Sequence, residues 1–437
     1  MPAIDHGASK VSSFVSLVKT IIGAGILSMP YAFSTDGVAC GIFIVLLAAV
    51  TSGYGLFLQV YVSKYVPPAH ATFFNLCSIT YPNLSVVFDL AIAIQCFGCA
   101  ISYLVLIGDI MPTIVEHVPG ISPENSRTFW IVVSALVCWP LSFLKNLDSL
   151  KYTSILGLVA IAYMVLLIVG HFFAGDIPPS ARGEVRWFPQ SLTAVFSTFS
   201  IVVFAFTGHQ NMFSIINEAA DKSLSSLSTL SNFAITCTSA LFIAVGISGY
   251  LTFGDLVLGN VILLYPNAWT TTLGRICIIF TMVFSFPLML HPARISVNNI
   301  YYWTKINVFA SRQQETSPNE STALLAEQPE EIHESQLKPT VVPFPSSVFY
   351  TITIGLLLVG YTLAASITSF ALVLAVVGAT GSTAISFILP GLFGYKLIGS
   401  ETDDPSNLER LLKLLALLLV IWGLFVMVLC LYASVVL

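Results

Sequence analysis

Charge is what this chain has least of: Asp, Glu, Lys and Arg make up 9% of its 437 residues, while 56% are hydrophobic. So sparse a charge complement excludes a soluble globular protein of ordinary make-up, in which roughly 25% of residues are charged. The net charge of -5 leaves no electrostatic case for a nucleic-acid partner. No cleavable leader is expected, since "MPAIDHGASK" shows no basic stretch followed by a cleavable apolar core. Nor is there a short cysteine framework of the kind that staples secreted domains. Cys40, Cys77, Cys96, Cys99, Cys138, Cys237, Cys277 and Cys430 nearly all fall in or beside apolar runs and read as small buried hydrophobes. Cys96 and Cys99 form a C-x-x-C, but within a helix that spacing places two small side chains on one face. A catalytic set is missing too, because the polar residues inside apolar runs are solitary, without paired Asp or Ser with His. Neither an enzyme nor a cofactor or metal site is expected.

What is present is apolar length. A spanning helix needs about 20 mostly apolar residues, and such runs fall near 12 to 35, 38 to 63, 84 to 113, 128 to 146, 152 to 173, 191 to 217, 229 to 253, 271 to 297, 346 to 369, 371 to 396 and 408 to 435. The fold class is an all-α polytopic membrane protein of eleven transmembrane helices. Spans 9 and 10 meet near Phe370 with only "SITSF" to turn on. Basic residues are retained on the cytosolic side, and a cytosolic N-terminus puts twelve of the seventeen there and Arg127, Arg182 and Arg186 opposite, with Arg275 at the non-cytosolic end of span 8 and Lys19 inside span 1. The C-terminus then lies on the far side. Three segments follow: helices 1–8 over 1–303, a cytosolic loop over 304–345, and helices 9–11 over 346–437. The loop, rich in Glu, Ser, Pro and Gln, has too little apolar surface to fold alone. Its "ESTALL", with Glu320, Leu324 and Leu325, has the acidic-x-x-x-Leu-Leu form that sorting adaptors read. An adaptor contact and an incidental pair of leucines are both open.

Span 1 carries the residues that harm a membrane helix most. In "KTIIGAGILSMPYAF", Gly23, Ala24 and Gly25, with Pro30 five residues on, lower helix propensity near mid-depth. Backbone that leaves the helix in a bilayer must face protein or a water-filled cavity. The freed amides and positive dipole end of the second half then suit a carboxylate. Span 6 offers a second break in "FAFTGHQNMFS", around Gly208. Two interrupted helices five spans apart are the mark of an inverted-repeat transporter, with spans 1–5 and 6–10 as its halves. Close helix packing is the competing use of the same glycines.

"VKTIIGAGILSMPYAF", "FDLAIAIQCFGCAISYLVLIGD", "FAFTGHQNMFSIINE", "GYLTFGD", "SFPLMLHPAR" and "VGATGSTAISFILPGLFGYKLIG" occur in that order along the chain. Together they resemble the amino acid/auxin permease family, and within it the fungal vacuolar transporters that export amino acids to the cytosol. The resemblance implies a leucine-transporter-like 5+5 inverted repeat plus one C-terminal helix, in a vacuolar or lysosome-like membrane. It implies an amino acid as substrate, with protons and membrane lipids as the other partners. Carried over, the backbone of Gly23, Ala24, Gly25 and Ile26 would hold the substrate carboxylate, and Phe204, Thr207 and His209 would meet its amino group and side chain. Ser285 stands where sodium-coupled relatives place a hydroxyl on the ion. Those relatives usually have Asn at the position of Lys19, and a fixed ammonium there points away from sodium and towards proton coupling.

Lys19 has two readings. A lysine within a span costs about 2.5 to 3.5 kcal/mol unless paired or wetted; it either replaces the coupling ion or, only ~10 Å deep at about 1.5 Å per residue, reaches the headgroups along its stem. His209 titrates in the range a proton-driven carrier uses or is a hydrogen-bonded packing residue. Tyr103 in span 3 covers the substrate or fills the core. Asp89, Asp109 and Glu218 read as caps or interfacial ion pairs. The expected function is proton-coupled export of neutral amino acids, with glutamine or proline favoured. A sodium-independent facilitator, an acidic amino-acid exporter and, less so, an amino-acid receptor of the same fold are the alternatives.

Overall fold

The computed structural model describes residues 7–144, 151–305 and 342–436. Among these, every regular element is helical apart from one bridging pair, Ala8 with Ala219. The order is α1 (Lys10–Ile22), α2 (Met29–Asp36), α3 (Val38–Val62), α4 (Phe73–Thr80), α5 (Ser85–Ile114), α6 (Pro123–Ser142), α7 (Lys151–Ala174), α8 (Leu192–Ala205), α9 (His209–Glu218), α10 (Leu224–Phe253), α11 (Trp269–Thr304), α12 (Ser346–Ser366), α13 (Phe370–Val377), α14 (Leu389–Leu397) and α15 (Asn407–Val436). Helices follow from the solvent, since lipid offers no partner to a backbone N–H or C=O and the chain must satisfy its own.

Nine helices among the described residues are long and apolar enough to cross a membrane, and α1 with α2 makes a tenth when taken as one bent span. The run expected at 128 to 146 is α6, a helix that begins earlier, at Pro123, and carries Glu124 and Arg127 near its start; it is not among the nine. The turn at "SITSF" is as tight as its sequence suggests, because the Ser369 side chain accepts from Leu372 N and caps α13 at once. Two features were not anticipated. The short helix α4 sits in what reads as a loop, burying Phe73, Leu76, Cys77 and Thr80 at helical spacing. The run through "GATGSTAISFI" winds as two π-helical stretches, Gly378–Ser382 and Ala384–Ile388, between α13 and α14. The sorting motif, Glu320, Leu324 and Leu325, and most of the loop over 304–345 lie outside the described residues.

Two sets of helices frame the interior. In one, α10 packs against α3, α1 and α2, and α3 against α9; in the other, α5 lies along α11, with α6 and α12 against both. α7 touches α10 on one side and α11 on the other. The interrupted helices belong to the first set and face the second.

Candidate functional site

The span 1 break falls where Gly-Ala-Gly stands. α1 ends at Ile22, Gly23 leaves the helical region, Ala24–Ser28 forms a 3-10 turn, and α2 resumes at Met29. The two halves are bent by 41°. Pro30 does not open the helix; it occupies the first turn of α2, where its missing N–H has no intrahelical acceptor to lose. The second break separates α8, ending at Ala205, from α9, starting at His209. The two breaks pack on one another. A Cβ on Gly25 would lie 2.7 Å from Ala205 Cβ and 2.8 Å from its Cα, and one on Gly208 would lie 2.7 Å from Ile21 Cγ1. Opening of the helix and close packing, the two readings of these glycines, are therefore one arrangement.

Beneath the crossing is a cavity of about 520 Å³, bounded by α1, the first break, α5, the second break, α9 and α11. Of the residues singled out from sequence, Lys19, Gly23, Ala24, Gly25, Tyr103, Phe204, Thr207 and Ser285 line it together. The cavity runs from the breaks towards Ser16, Ser214, Glu218 and His291, at the end of the helices that also carries Lys10. Lys19 is half-buried and directed across the cavity wall at α7 and α11. A Cβ on Gly157 would lie 3.3 Å from Lys19 Cε, 4.0 Å from its Nζ and 3.4 Å from Thr281 Cγ2. Its ammonium thus sits in the seam between the two sets of helices.

Two expected residues are absent from the cavity lining. Ile26, expected there through its backbone, lines a small apolar crevice with Leu27, Ala160, Met164 and Ile278. His209 is 0% exposed and turned away from the cavity, with Nε2 3.1 Å from Ser52 O on α3 and Nδ1 3.0 Å from Ser386 Oγ in the second π-helical stretch. Gly55 makes room for the imidazole, since a Cβ there would meet both His209 Nε2 and the Ser386 carbonyl. The ring fixes the start of α9 against α3.

Residues that the sequence reading did not assign to the site complete the wall. Gln95 and Cys99 precede Tyr103 at steps of four, one stripe of α5, and all three line the cavity. Gln95 Oε1 accepts from Ser382 Oγ at 2.7 Å, and its Nε2 approaches Cys99 Sγ at 3.7 Å. Gln210, Asn211 and Thr20 add further amides and a hydroxyl, with Asn211 Nδ2 donating to Thr20 Oγ1 at 3.1 Å. Steps of four from Tyr103 were the available signal for Gln95 and Cys99.

The opposite end of the bundle is sealed. Ser28 Oγ donates to Gly259 O, and Arg275, 1% exposed, donates to the carbonyls of Tyr265 (2.9 Å) and Ile262 (3.3 Å) and to Asn267 Oδ1. The remaining acidic candidates are structural in geometry. Asp109 pairs with Arg127 at 2.7 Å, whose guanidinium also holds Ala364 O and Ile367 O at the end of α12, and Asp89 accepts from Asn299 at 3.1 Å. Glu218 stands on the cavity rim.

A helical membrane protein with a polar cavity under two crossed, interrupted helices, open towards one face and sealed at the other, belongs to the class that admits small solutes from alternate sides. The family follows from comparison: the family model described as transmembrane amino acid transporter protein matches residues 6–436, and the chain belongs to that family. It is a transporter and not an enzyme. Vacuolar amino acid transporter 7 of Saccharomyces cerevisiae is 42% identical over 98% of this chain and 98% of its own. Vacuolar amino acid transporter 5 of Schizosaccharomyces pombe is 38% identical over 96% of this chain and 93% of its own. More distantly, sodium-coupled neutral amino acid transporter 7 of Bos taurus is 29% identical over 64% of this chain and 62% of its own.

Proposed function

We propose that this protein is a secondary active transporter that moves neutral amino acids, glutamine or proline among them, from the vacuole lumen to the cytosol with protons. The observation that carries the reading is the meeting of both helix breaks over one cavity with an ammonium in its wall. In this reading the chain has eleven spans, α6 and the bent pair α1–α2 included, arranged as a 5+5 inverted repeat plus α15. The N-terminus and the open end of the cavity are cytosolic, the C-terminus lumenal. The first amides of the 3-10 turn at Ala24 and Gly25 have no intrahelical acceptor and bind the substrate carboxylate. Phe204, Thr207, Tyr103 and the Gln95 and Gln210 amides surround the rest, while His209 acts on the site by holding α9. Lys19 occupies the position of a coupling cation, with Ser285 lining the same cavity. Placement in the vacuolar membrane is supported by the names of the fungal relatives, and adaptor reading of Glu320, Leu324 and Leu325 is the proposed route there.

The test is efflux of labelled glutamine, proline and glutamate from vesicles with an acidic interior, before and after a protonophore. Uphill, protonophore-sensitive efflux of a neutral substrate is expected. Efflux that only equalises concentrations makes the protein a facilitator, and preference for glutamate makes it an acidic amino-acid exporter. Lys19→Ala is expected to abolish uphill efflux while leaving substrate exchange. If uphill efflux survives in that variant, Lys19 is an anchoring residue and not part of the coupling.

A further inference from the structure

Asp36 ends α2 at the sealed face, far from Lys10 in the fold, and its side chain is 0% exposed. Its Oδ1 accepts from Thr198 Oγ1 on α8 at 2.7 Å. Oδ2 is buried with no hydrogen-bond partner, and no ion pair among the described residues includes Asp36. A buried ionised carboxylate is ordinarily paired with a cation or a metal ion, and a buried neutral acid still needs hydrogen-bond partners. Among the described residues Asp36 has Thr198 and no cation.

Immediately after it, the start of α3 is overlain by a short segment of the α7–α8 connection. Val38 N donates to Arg186 O and Ala39 N to Trp187 O, each at 3.0 Å, and Arg186 N donates to Tyr250 Oη at 2.7 Å. The cover lies so close over the α2–α3 turn that only glycine fits there. Gly37 has φ +77°, and a Cβ on it would lie 2.6 Å from Phe188 N and 2.7 Å from Trp187 O. The first two amides of α3 are thus taken by the cover. Those same amides, two and three residues after Asp36, are the ones an ionised Asp side chain accepts from in an Asx turn or an N-cap. Cover and carboxylate compete for one pair of donors.

We propose that Asp36 is a proton-binding site at which lumenal acid favours closure of this cover. With the cover lifted, the carboxylate holds the Val38 and Ala39 amides; one proton from lumenal water converts it to the carboxylic acid, frees the amides for Arg186 O and Trp187 O, and the cover closes. Reopening returns the proton to the lumen. The site therefore sets the rate of the cycle and moves no net charge across the membrane. The other ionisable groups around it are Tyr31 on α2, Cys40 on α3, Tyr250 on α10 and, on the cover side, Arg186 paired with Glu184 (3.1 Å) and Asp255 (3.7 Å). None of these is a cation paired with Asp36. The inference rests on the lumenal placement of this face proposed above.

The experiment is exchange of labelled amino acid at equal substrate and equal pH on both sides, which no gradient drives, with that pH stepped from about 4, the ordinary Asp value, to about 9. Wild-type exchange is expected to fall along a single-proton curve as pH rises. Asp36→Asn, a fixed neutral group that still accepts from Thr198, is expected to remain flat at the acid rate. Thr198→Val removes the donor that favours the carboxylate and is expected to move the midpoint to higher pH. An Asp36→Asn protein that keeps the wild-type pH dependence overturns the proposal, as does one that binds substrate in a thermal-shift assay yet exchanges at no pH. Should that variant not fold, an unshifted midpoint in Thr198→Val overturns it. Control by lumenal sodium at fixed pH would replace the proton with a metal cation. Wild-type protein that exchanges no amino acid sinks the transport reading itself; exchange whose pH dependence is the same in wild type and Asp36→Asn sinks only this one.

Discussion

Single residues at the crossing determine whether the two breaks can meet. At Gly25 the obstacle to a side chain is the backbone of Ala205, at Gly208 the flexible end of Ile21. This difference separates two substitutions that otherwise look alike. Gly25→Ala is expected to cost about 1 to 3 kcal/mol by overpacking and to abolish transport, with no recovery on adding Ala205→Gly, because Ala205 Cα still lies 2.8 Å from the new methyl. Gly208→Ala is expected to lose most transport and regain part of it with Ile21→Ala. Thermal stability and exchange rate of the four proteins check this, and recovery by Ala205→Gly would show that the two breaks can move apart by the width of a methyl group. His209 illustrates what a sequence withholds at this scale. Its polarity inside an apolar run marked it as special, but whether it would face the cavity or α3 depends on the rotation of the ten-residue helix α9. Ser52 and Ser386, which hold it, are 157 and 177 residues away in the chain.

At the level of elements, the inner halves of the two broken helices are tied together before they reach the cavity. Ala8 N donates to Glu218 O at 2.7 Å, Ala220 N to Ala8 O at 3.0 Å, and Lys10 Nζ pairs with Asp221 Oδ2 at 3.0 Å. α1 and α9 should therefore move as one piece. Crosslinking Ala8→Cys to Ala219→Cys is expected to leave exchange intact, and loss of exchange on crosslinking would show that the two slide past each other. The ion pair is exposed and its contribution should fade in high salt. The Lys10 ammonium, followed by Ser223, holds the Asp221 carboxyl well below the usual carboxylate range. A depressed value means the pairing is complete above the ordinary carboxylate range and is lost only as pH falls through the depressed one. Acidification of that face within the physiological range should leave it in place, whereas Asp221→Asn removes it at every pH. The helices themselves were legible because apolar length has few other uses, and the first break because Gly-Ala-Gly is weak helix at any depth. Pro30 was legible as a landmark but not in its role, since a proline in the first turn of α2 and one that splits a helix read alike. The π-helical stretches left no mark, because "GATGSTAISFI" mixes small, hydroxyl and apolar residues with no period that a π-turn would break. Gln95 escaped for a related reason: one amide in a thirty-residue apolar helix has no partner in the sequence, and Ser382, which orients it, lies 287 residues on.

For the molecule as a whole, the two ends of the cavity differ in kind, and the difference can be read from outside. Towards the Lys10 end the walls are separate helices with Ser214 exposed on α9; towards the other, Ser28 is 0% exposed and bonded to Gly259, with Arg275 clamping the residues that follow. In a cysteine-free background, Ser214→Cys is expected to react with an impermeant thiol reagent applied from the Lys10 face, and Ser28→Cys to be protected from both faces. Alternation requires these reactivities to exchange. Removing the clamp with Arg275→Gln leaves the Tyr265 and Ile262 carbonyls without their charged donor, a loss of roughly 1 to 3 kcal/mol for buried groups, and so biases the molecule towards opening at the sealed face. That variant is expected to make Ser28→Cys reactive from the far side and Ser214→Cys less reactive from the near one. Reactivity of both positions at once would mean that the cavity has become a continuous path, which a carrier cannot tolerate. Such a result would assign Arg275 to the separation of the two faces and not to the balance between them.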